Sequence, residues 1–374
     1  MRKKYKLSIF LCCVLVALSG CGKAKEKTEP TVVKPVIVEN EEDSSDADAT
    51  PLTGVKRSRL TNEFVSEDVA NTRPVALMIP NSGTASFYGL SKADILYECN
   101  VEGSMTRLMA IFGDWKNSEK LGNIRSARDY FVYWAFEWDA IFMHYGGPFY
   151  IDDVLSRDDT QSINCLNYET ATFRDEAKNS TDNAFTSGEK IQEAMEHFGY
   201  SEKYRSGYAD EAHFIFASDD APNTLEQYSD AIDAEKIDMS LCYPVTNCYF
   251  VYNPESGVYE RFQKPSGLED GPHIDEENNK QLSFKNVIVQ NTYHEVRDQK
   301  GYLAFQVHDN TRDGWYFTNG KGVHVTWDKV TDYGATRYFD DDGNEIQLNT
   351  GKTMILIVEA GDSFKVNDKI IKPE

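Results

Sequence analysis

The stretch that decides the fold is residues 94–147, DILYECNVEGSMTRLMAIFGDWKNSEKLGNIRSARDYFVYWAFEWDAIFMHYGG. It is the most apolar and aromatic part of the chain beyond the N-terminal segment. It also contains a dense set of charged and reactive side chains. Core-forming and polar residues are interleaved here, so we expect the stretch to form both the centre of the fold and any functional site. The polar residues concerned are Glu98, Glu102, Thr106, Arg107, Arg125, Ser126, Arg128 and His144.

The first part of this stretch predicts two paired strands. In residues 94–102, apolar and polar residues alternate with the period of two that is typical of a strand. Gly103 and Ser104 interrupt the pattern, and a second apolar run, RLMAIFGD, follows at once. We therefore predict a tight hairpin, which would bring Glu102 close to Thr106 and Arg107.

The second part predicts a helix followed by a strand. Ser126 fits a helix N-cap with Asp129 three residues later, and DYFVYWAFEW would form a helix that is buried on most sides. AIFMHYGG then predicts a strand with His144 near its end. This order of strand, helix and strand indicates a mixed α/β or α+β domain. If the sheet is mainly parallel, ligands bind beyond the carboxyl ends of its strands.

Two hypotheses account for the polar residues of this stretch. In the first, the guanidinium groups of Arg107, Arg125 and Arg128 bind a phosphate or carboxylate, and His144 is a general acid or base that Glu98 or Glu102 orients. In the second, the same residues are structural. Glu102 and Arg107 then form a hairpin ion pair, the other arginines brace the helix entry, and His144 is an ordinary strand histidine.

The N-terminus has the features of a bacterial lipoprotein signal peptide. Residues 1–20 contain a basic start, RKKYK, and an apolar run of about 12 residues, which is too short to span a bilayer. Leu18-Ser19-Gly20 then precedes Cys21. We predict that Cys21 becomes the lipidated first residue, carrying fatty acids such as palmitate. The protein would then be anchored at the outer face of the cell membrane.

The rest of the chain divides by composition. Residues 21–70 are charged and poor in aromatic residues, which predicts a flexible acidic tether. Residues 71–220 are predicted to form the mixed α/β domain. Residues 221–374 show repeated alternating runs separated by Gly, Asn and Asp, which predicts a β-rich domain with a tight turn at Asp342-Gly343. The formal net charge of −22 disfavours nucleic acid as a partner.

The other chemistry-bearing residues point to structural roles. Cys99 lies on the apolar face of its predicted strand and is interpreted as a core residue. With Cys165, Cys242 and Cys248 it allows up to two disulfides, of which Cys242–Cys248 is the first candidate. The spacing of His and Cys does not match a zinc site, and the DDDGNE run at 340–345 does not match an EF-hand. No metal and no cofactor are predicted.

Several motifs fall in the order found in a known family. The N-terminal motifs are RPVALMIPNS, GLSKADILYE, VEGSMTRLMAIF, IRSAR and DAIFMHYGG, and the C-terminal ones are NVIVQ, GKGVHVTW and RYFDDDGNEIQLNTGKT. With these motifs the chain resembles the YerB-like lipoproteins of Gram-positive bacteria, a two-part family without a known biochemical role. The resemblance covers about residues 70–360. It implies a membrane-tethered envelope protein with a mixed α/β part and a β-rich part. One departure is Asp182-Asn183, where the family pattern has a His-Asn pair.

Two functions are compatible with these observations. The first is a lipid-anchored extracytoplasmic protein that binds a protein partner or an anionic envelope ligand. The second is an extracytoplasmic hydrolase or transferase that acts on a phosphate- or carboxylate-bearing cell-wall substrate through His144 and the neighbouring Glu and Arg residues. The two differ in whether these side chains converge on one open cleft.

Overall fold

The computed structural model describes residues 54–82, 85–178, 182–208 and 213–372. The predicted signal peptide, Cys21 and the first part of the predicted tether lie outside the described residues. The helices are α1 Glu67–Asn71, α2 Asp129–Phe136, α3 Asp152–Leu155 and α4 Gly188–Phe198. The strands up to residue 216 are β1 Val55–Arg57, β2 Phe64–Ser66, β3 Val75–Asn81, β4 Ile95–Asn100, β5 Thr106–Phe112, β6 Leu121–Gly122, β7 Ile141–His144, β8 Ser162–Asn164, β9 Phe173–Arg174, β10 Ala184–Thr186 and β11 Ile215–Phe216.

The remaining part of the chain is almost entirely strands and turns. Its strands are β12 Ile232–Asp233, β13 Lys236–Asp238, β14 Cys248–Asn253, β15 Val258–Gln263, β16 Gly271–Pro272, β17 Ile274–Asp275, β18 Lys280–Gln281, β19 Ser283–Phe284, β20 Asn286–Thr292, β21 His294–Val296, β22 Leu303–Phe305, β23 Asp309–Thr318, β24 Lys321–Lys329, β25 Arg337–Phe339, β26 Gln347–Leu348, β27 Thr353–Glu359, β28 Phe364–Val366 and β29 Lys369–Ile371.

One large mixed sheet, the main sheet, contains strands from both halves of the chain. Among the described residues it has eleven strands in the order β12-β24-β23-β20-β27-β4-β5-β3-β7-β8, with β25 paired to β24. β27, from near the C-terminus, lies parallel to β4 on one side and parallel to β20 on the other. The central strands are therefore brought together from distant parts of the sequence.

A second sheet and the helices cover the two faces of the main sheet. The second sheet has the order β16-β15-β14-β13-β28-β29, with β19 paired to β15. It packs with α4 against one face, forming an inter-sheet core that includes Leu96, Ile191 and Phe250. Helix α2 packs against the opposite face, where Trp134 stacks on Tyr97 in a helix-side core. The result is a three-layer arrangement around the main sheet.

This architecture confirms the predicted fold class, a mixed α/β N-terminal part followed by a β-rich C-terminal part. Folded structure begins upstream of residue 71, because β1, β2 and α1 occupy the end of the segment assigned to the tether. The division into domains at residue 220 remains a prediction. The turn at Asp342-Gly343 is present, with Gly343 at a φ of 83° and its N–H bonded to the carbonyl of Asp340.

Strand β4 shows the predicted alternation, but both of its faces are buried. Tyr97 and Cys99 face the helix-side core, while Leu96 and Glu98 face the inter-sheet core. All six residues of the strand are buried. The face that carries Glu98 is therefore covered by the second sheet and is not open to solvent, which the alternation by itself did not indicate.

The longer helices are α2 and α4, and α2 follows the predicted segment. In α2, six of the eight residues are buried, as the aromatic pattern predicted. Helix α4 begins after Ser187, whose side chain accepts a hydrogen bond from the N–H of Lys190, and ends at Gly199 in the left-handed conformation. Gly188 is required at its start, because a Cβ there would lie 2.1 Å from the carbonyl oxygen of Lys116.

Candidate functional site

The candidate site lies at the carboxyl edge of the main sheet. Strands β3 and β7 are parallel, and β4 runs in the same direction because β3 and β4 are both antiparallel to β5. Their last residues, Asn81, Asn100 and His144, therefore lie at one edge, where β5 begins at Thr106. The β4–β5 hairpin is present as predicted, with Gly103 at a φ of 68°.

Three arginines form an arginine cluster at this edge: Arg107, Arg125 and Arg128. Nη1 of Arg107 donates to the carbonyl of Ser126 at 2.7 Å. The backbone N–H of Arg125 donates to the carbonyl of Met78 in the middle of β3, which ties the segment before α2 to the sheet. The side chains of Arg107 and Arg125 are half-buried, while Arg128 is buried.

Arg128, and not Arg107, is the partner of Glu102. Nε and Nη2 of Arg128 each donate to one carboxylate oxygen of Glu102, at 2.5 Å. This is the bidentate geometry that a guanidinium group makes with a carboxylate. The predicted Glu102–Arg107 hairpin pair was therefore wrong in its arginine.

The helix start differs from the predicted one. Helix α2 begins at Asp129. Its N-cap is Arg128, whose side chain makes no capping hydrogen bond. Ser126 therefore lies two residues before the N-cap, and its predicted capping role was wrong. Asp129 in the first turn forms an ion pair with Arg297, which follows β21. The ring of Tyr302 lies 5.4 Å from the Arg128 guanidinium, so the segment around β21 and β22 covers the helix start.

The electrostatics of the cluster are those of crowded positive charges. Burial, then the neighbouring charge of Arg128, lower the pKa of Arg107 to about 10; Arg125 adds to the effect and Glu102 opposes it. Like charges held this close favour any anion that enters between them. The cluster can therefore bind an anion by charge and by planar hydrogen-bond donors.

Glu98 belongs to a different, fully buried cluster. One of its carboxylate oxygens accepts hydrogen bonds from Asn81 and Thr106, each at 2.7 Å, and the other accepts from Nη2 of Arg261 at 2.7 Å. Arg261 lies on β15 in the second sheet and, like Glu98, has no solvent exposure. Glu98 therefore joins the two sheets, and the hypothesis that it orients His144 was wrong.

His144 is a buried histidine at the end of β7. Its Nδ1 lies 2.8 Å from the carbonyl oxygen of Gly146, and its ring stacks on Phe142. Burial lowers the pKa of His144 to about 4, so the ring is neutral at pH 7. Its Nε2 is buried and has no hydrogen-bond partner among the described residues. The ring is therefore buried and neutral, and no carboxylate orients it among the described residues.

Arg261 was missed in the sequence, although a signal for it was present. In GVYERFQ, the period of two puts Arg261 on the same face as Tyr259. Tyr259 is fully buried, so the core face of β15 carries an arginine. A charged residue in phase with core residues requires a buried partner of opposite charge. The pattern is therefore sufficient to indicate that such a partner exists, but not to identify it as Glu98.

Among the described residues, neither the cysteines nor a metal-binding group provides a reactive centre. Cys99, Cys165, Cys242 and Cys248 are all buried and free, so the Cys242–Cys248 bridge is not formed. Burial raises the pKa of the Cys99 thiol well above its usual value. Residues 54–372, apart from the three short gaps, contain no group of three or more His, Cys, Asp and Glu residues placed to hold a metal ion. No described helix is both long and apolar enough to cross a bilayer.

Comparisons with known proteins agree with this arrangement. Two family models match: the N-terminal domain of "Protein of unknown function (DUF3048)" over residues 60–201, and its C-terminal domain over residues 239–355. YerB of Bacillus subtilis (strain 168), a protein named as a lipoprotein, is 29% identical over 325 residues, which cover 86% of this chain and 92% of YerB. The crystal structure of YerB from Bacillus subtilis is similar, with a TM-score of 0.68 and 25% identity, and the match covers 81% of this chain and 96% of that one.

Proposed function

Because this chain belongs to the DUF3048 family of YerB-like proteins, we propose that it is a lipoprotein attached through Cys21 to the outer face of the cell membrane, where its arginine cluster binds an anionic envelope ligand. The biochemical role of the family is unknown. The proposal has two parts, the anchor and the ligand, and each has its own support and test.

The anchor is supported by the N-terminal sequence and by the relative. Residues 1–20 have a basic start and a short apolar run before Cys21. The similar Bacillus subtilis protein is itself named as a lipoprotein. Two acyl chains on one cysteine suffice for stable membrane attachment. The full chain has a net charge of −22, and residues 1–20 contribute four basic and no acidic residues, so the anchored body is strongly acidic and has no need to contact anionic headgroups for this.

The anchor is tested with Cys21→Ser in cells fed an alkyne analogue of palmitate. The unmodified protein should incorporate the label and sediment with membranes, whereas Cys21→Ser should do neither. The outer-face location predicts that protease added to intact protoplasts digests the protein. Label in the Cys21→Ser variant, or full protection from protease until the membrane is opened, would contradict the proposal.

The ligand part depends on one observation, the three guanidinium groups gathered at the carboxyl edge of the main sheet around the carboxylate of Glu102. Arg128 is already engaged with Glu102. Arg107, which also donates to the carbonyl of Ser126, and Arg125 are half-buried, so an incoming anion can approach them more readily than the buried Arg128. Their planar donor groups suit a phosphate or a carboxylate.

The ligand part is tested by calorimetric titration with inorganic phosphate, glycerol 3-phosphate and citrate. One charge-assisted hydrogen bond is worth about 1.5–3 kcal/mol, so Arg125→Gln should weaken binding by roughly 10- to 100-fold. Arg312→Gln is the matched control, because Arg312 contacts Asp309 on β23 and lies outside the cluster. Equal losses in both variants, or no binding of any of the three anions, would overturn this part. Capture of an acidic protein, with none of these anions bound, would replace the small ligand by a protein partner.

The hydrolase or transferase alternative lacks comparable support. It requires His144 to act with Glu98 or Glu102, but Glu98 pairs with Arg261 and Glu102 with Arg128. Binding without turnover is the function that the geometry supports best.

A further inference from the structure

A polar groove lies on the outer face of the second sheet, away from the arginine cluster. It has a volume of about 420 Å³ and is formed by β13, the start of β14 and the loop that follows β15. The inner face of the same strands is in the inter-sheet core, where Ile237, Cys248 and Phe250 are buried. The side chains that matter for the groove are Lys236, Asp238, Tyr249, Lys264, Leu268 and Asp270.

The charges of the groove are balanced in sign and only partly engaged. Two lysines and two aspartates line it, although the chain as a whole carries −22. Lys236 and Asp238 lie 3.9 Å apart, a loose ion pair. Lys264 is exposed and forms no ion pair within the part of the chain that the structure describes. Asp270 accepts one hydrogen bond, from the Tyr249 hydroxyl at 2.9 Å. The groove therefore presents charge of both signs at one place.

Tyr249 gives the groove a rigid aromatic wall. Its ring is parallel to that of Phe262, its cross-strand partner, with an angle of 7° and centroids 5.2 Å apart. The ammonium of Lys236 lies 4.5 Å from the Tyr249 ring centroid, so this ring already receives a cation. The exposed side chain of Leu268 adds an apolar contact to the lining of the groove.

We propose that this groove binds a free amino acid or a short peptide as a zwitterion. Asp270 receives the ligand ammonium, Lys264 receives the ligand carboxylate, and Leu268 contacts a small apolar side chain. A balanced pair of opposite charges matches a ligand that carries both, whereas an anion alone would meet the two aspartates. A sugar is the weaker fit, because Phe262 and Lys236 already contact the Tyr249 ring on which a pyranose would stack.

The test titrates the full chain in detergent micelles with dialanine, N-acetyl-dialanine, dialanine amide and diacetylchitobiose. Dialanine should bind, and blocking either end should weaken binding at least tenfold. Asp270→Asn and Lys264→Gln should each weaken dialanine binding at least tenfold and leave the melting temperature unchanged. Lys369→Gln, an exposed lysine on β29 of the same sheet, is the matched control and should bind normally.

The comparison of ligands and the comparison of protein variants each test the proposal. Equal binding of dialanine and its two blocked forms would overturn the proposal, because the charged ends would then contribute nothing. Binding of diacetylchitobiose in place of dialanine would make the groove a sugar site. Loss of anion binding in Arg125→Gln with dialanine binding intact would show that the two sites are independent. The failure of one proposal therefore leaves the other testable.

Discussion

Replacing Glu98 by Gln should destabilise the protein strongly, because it leaves the Arg261 guanidinium buried without its counter-charge. Both side chains have no solvent exposure, and the pair is 2.7 Å apart. Removing one partner of a buried ion pair costs roughly 3–5 kcal/mol. Against a total stability of about 5–15 kcal/mol, this is a large fraction. At about 2–4 °C per kcal/mol for a protein of this size, we expect the melting temperature to fall by roughly 10 °C.

The measurement is urea unfolding followed by both tryptophan fluorescence and circular dichroism. Glu260→Gln is the matched control, since Glu260 precedes Arg261 but is half-buried and should change stability by no more than about 0.5 kcal/mol. The double variant Glu98→Leu with Arg261→Leu removes both charges and should recover most of the loss. A single-variant loss under about 1 kcal/mol, or a double variant as unstable as the single one, would refute the reasoning.

Three further predictions concern pH and packing. Burial raises the pKa of Glu137, but the charge of Lys329 and hydrogen bonds outweigh burial and hold this pKa at about 2. The ionised carboxylate therefore contributes roughly 3 kcal/mol to the free energy of unfolding above pH 4.5, and this contribution is lost as the pH falls towards 2. The stability gap between wild type and Glu137→Gln should close over that range, and parallel unfolding curves would contradict this. Burial holds the pKa of His144 at about 4, so the unfolded state binds a proton at a higher pH than the native state does. Between pH 6.5 and 4 the free energy of unfolding should therefore fall by about 3 kcal/mol more in the wild type than in His144→Asn, as measured by acid unfolding. Gly188→Ala should lower the free energy of unfolding by about 1–3 kcal/mol, measured by thermal unfolding. Gly271→Ala is the control and should be neutral, because a Cβ there meets open space. Similar losses in the two variants would argue against a packing cause.

Local patterns in the sequence were sufficient to predict most individual elements. The alternation in β4, the apolar run of β5 and the aromatic helix α2 are all present. Each of these predictions depends on contacts between residues that are near in sequence, such as the hairpin around Gly103. The fold class followed from the order of these elements.

The candidate site was only partly predictable, because its partners come from distant segments. The second sheet covers the Glu98 face through Arg261, which is 163 residues away in sequence. The choice between Arg107 and Arg128 as the partner of Glu102 depended on where α2 begins, and the capping pattern favoured Ser126 over the observed Arg128. A shared binding role for the three arginines was one of two hypotheses from the sequence. Which of them remain accessible could be determined only from the tertiary structure.

The position of β27 has a consequence for the order in which the protein can be completed. During synthesis, β4 is made early and β27 almost last, yet β27 fills the place between β4 and β20. Until residues 353–359 are available, each of those two strands has an edge of unpaired backbone groups, which is a template for aggregation. The entropy of closing such a long chain segment also makes this step slow. A nonsense codon at residues 353–359 would remove only a short C-terminal segment, but with it the strand between β4 and β20, so it should be more damaging than the number of lost residues suggests. The exported chain should also depend on a holding chaperone until this strand is available.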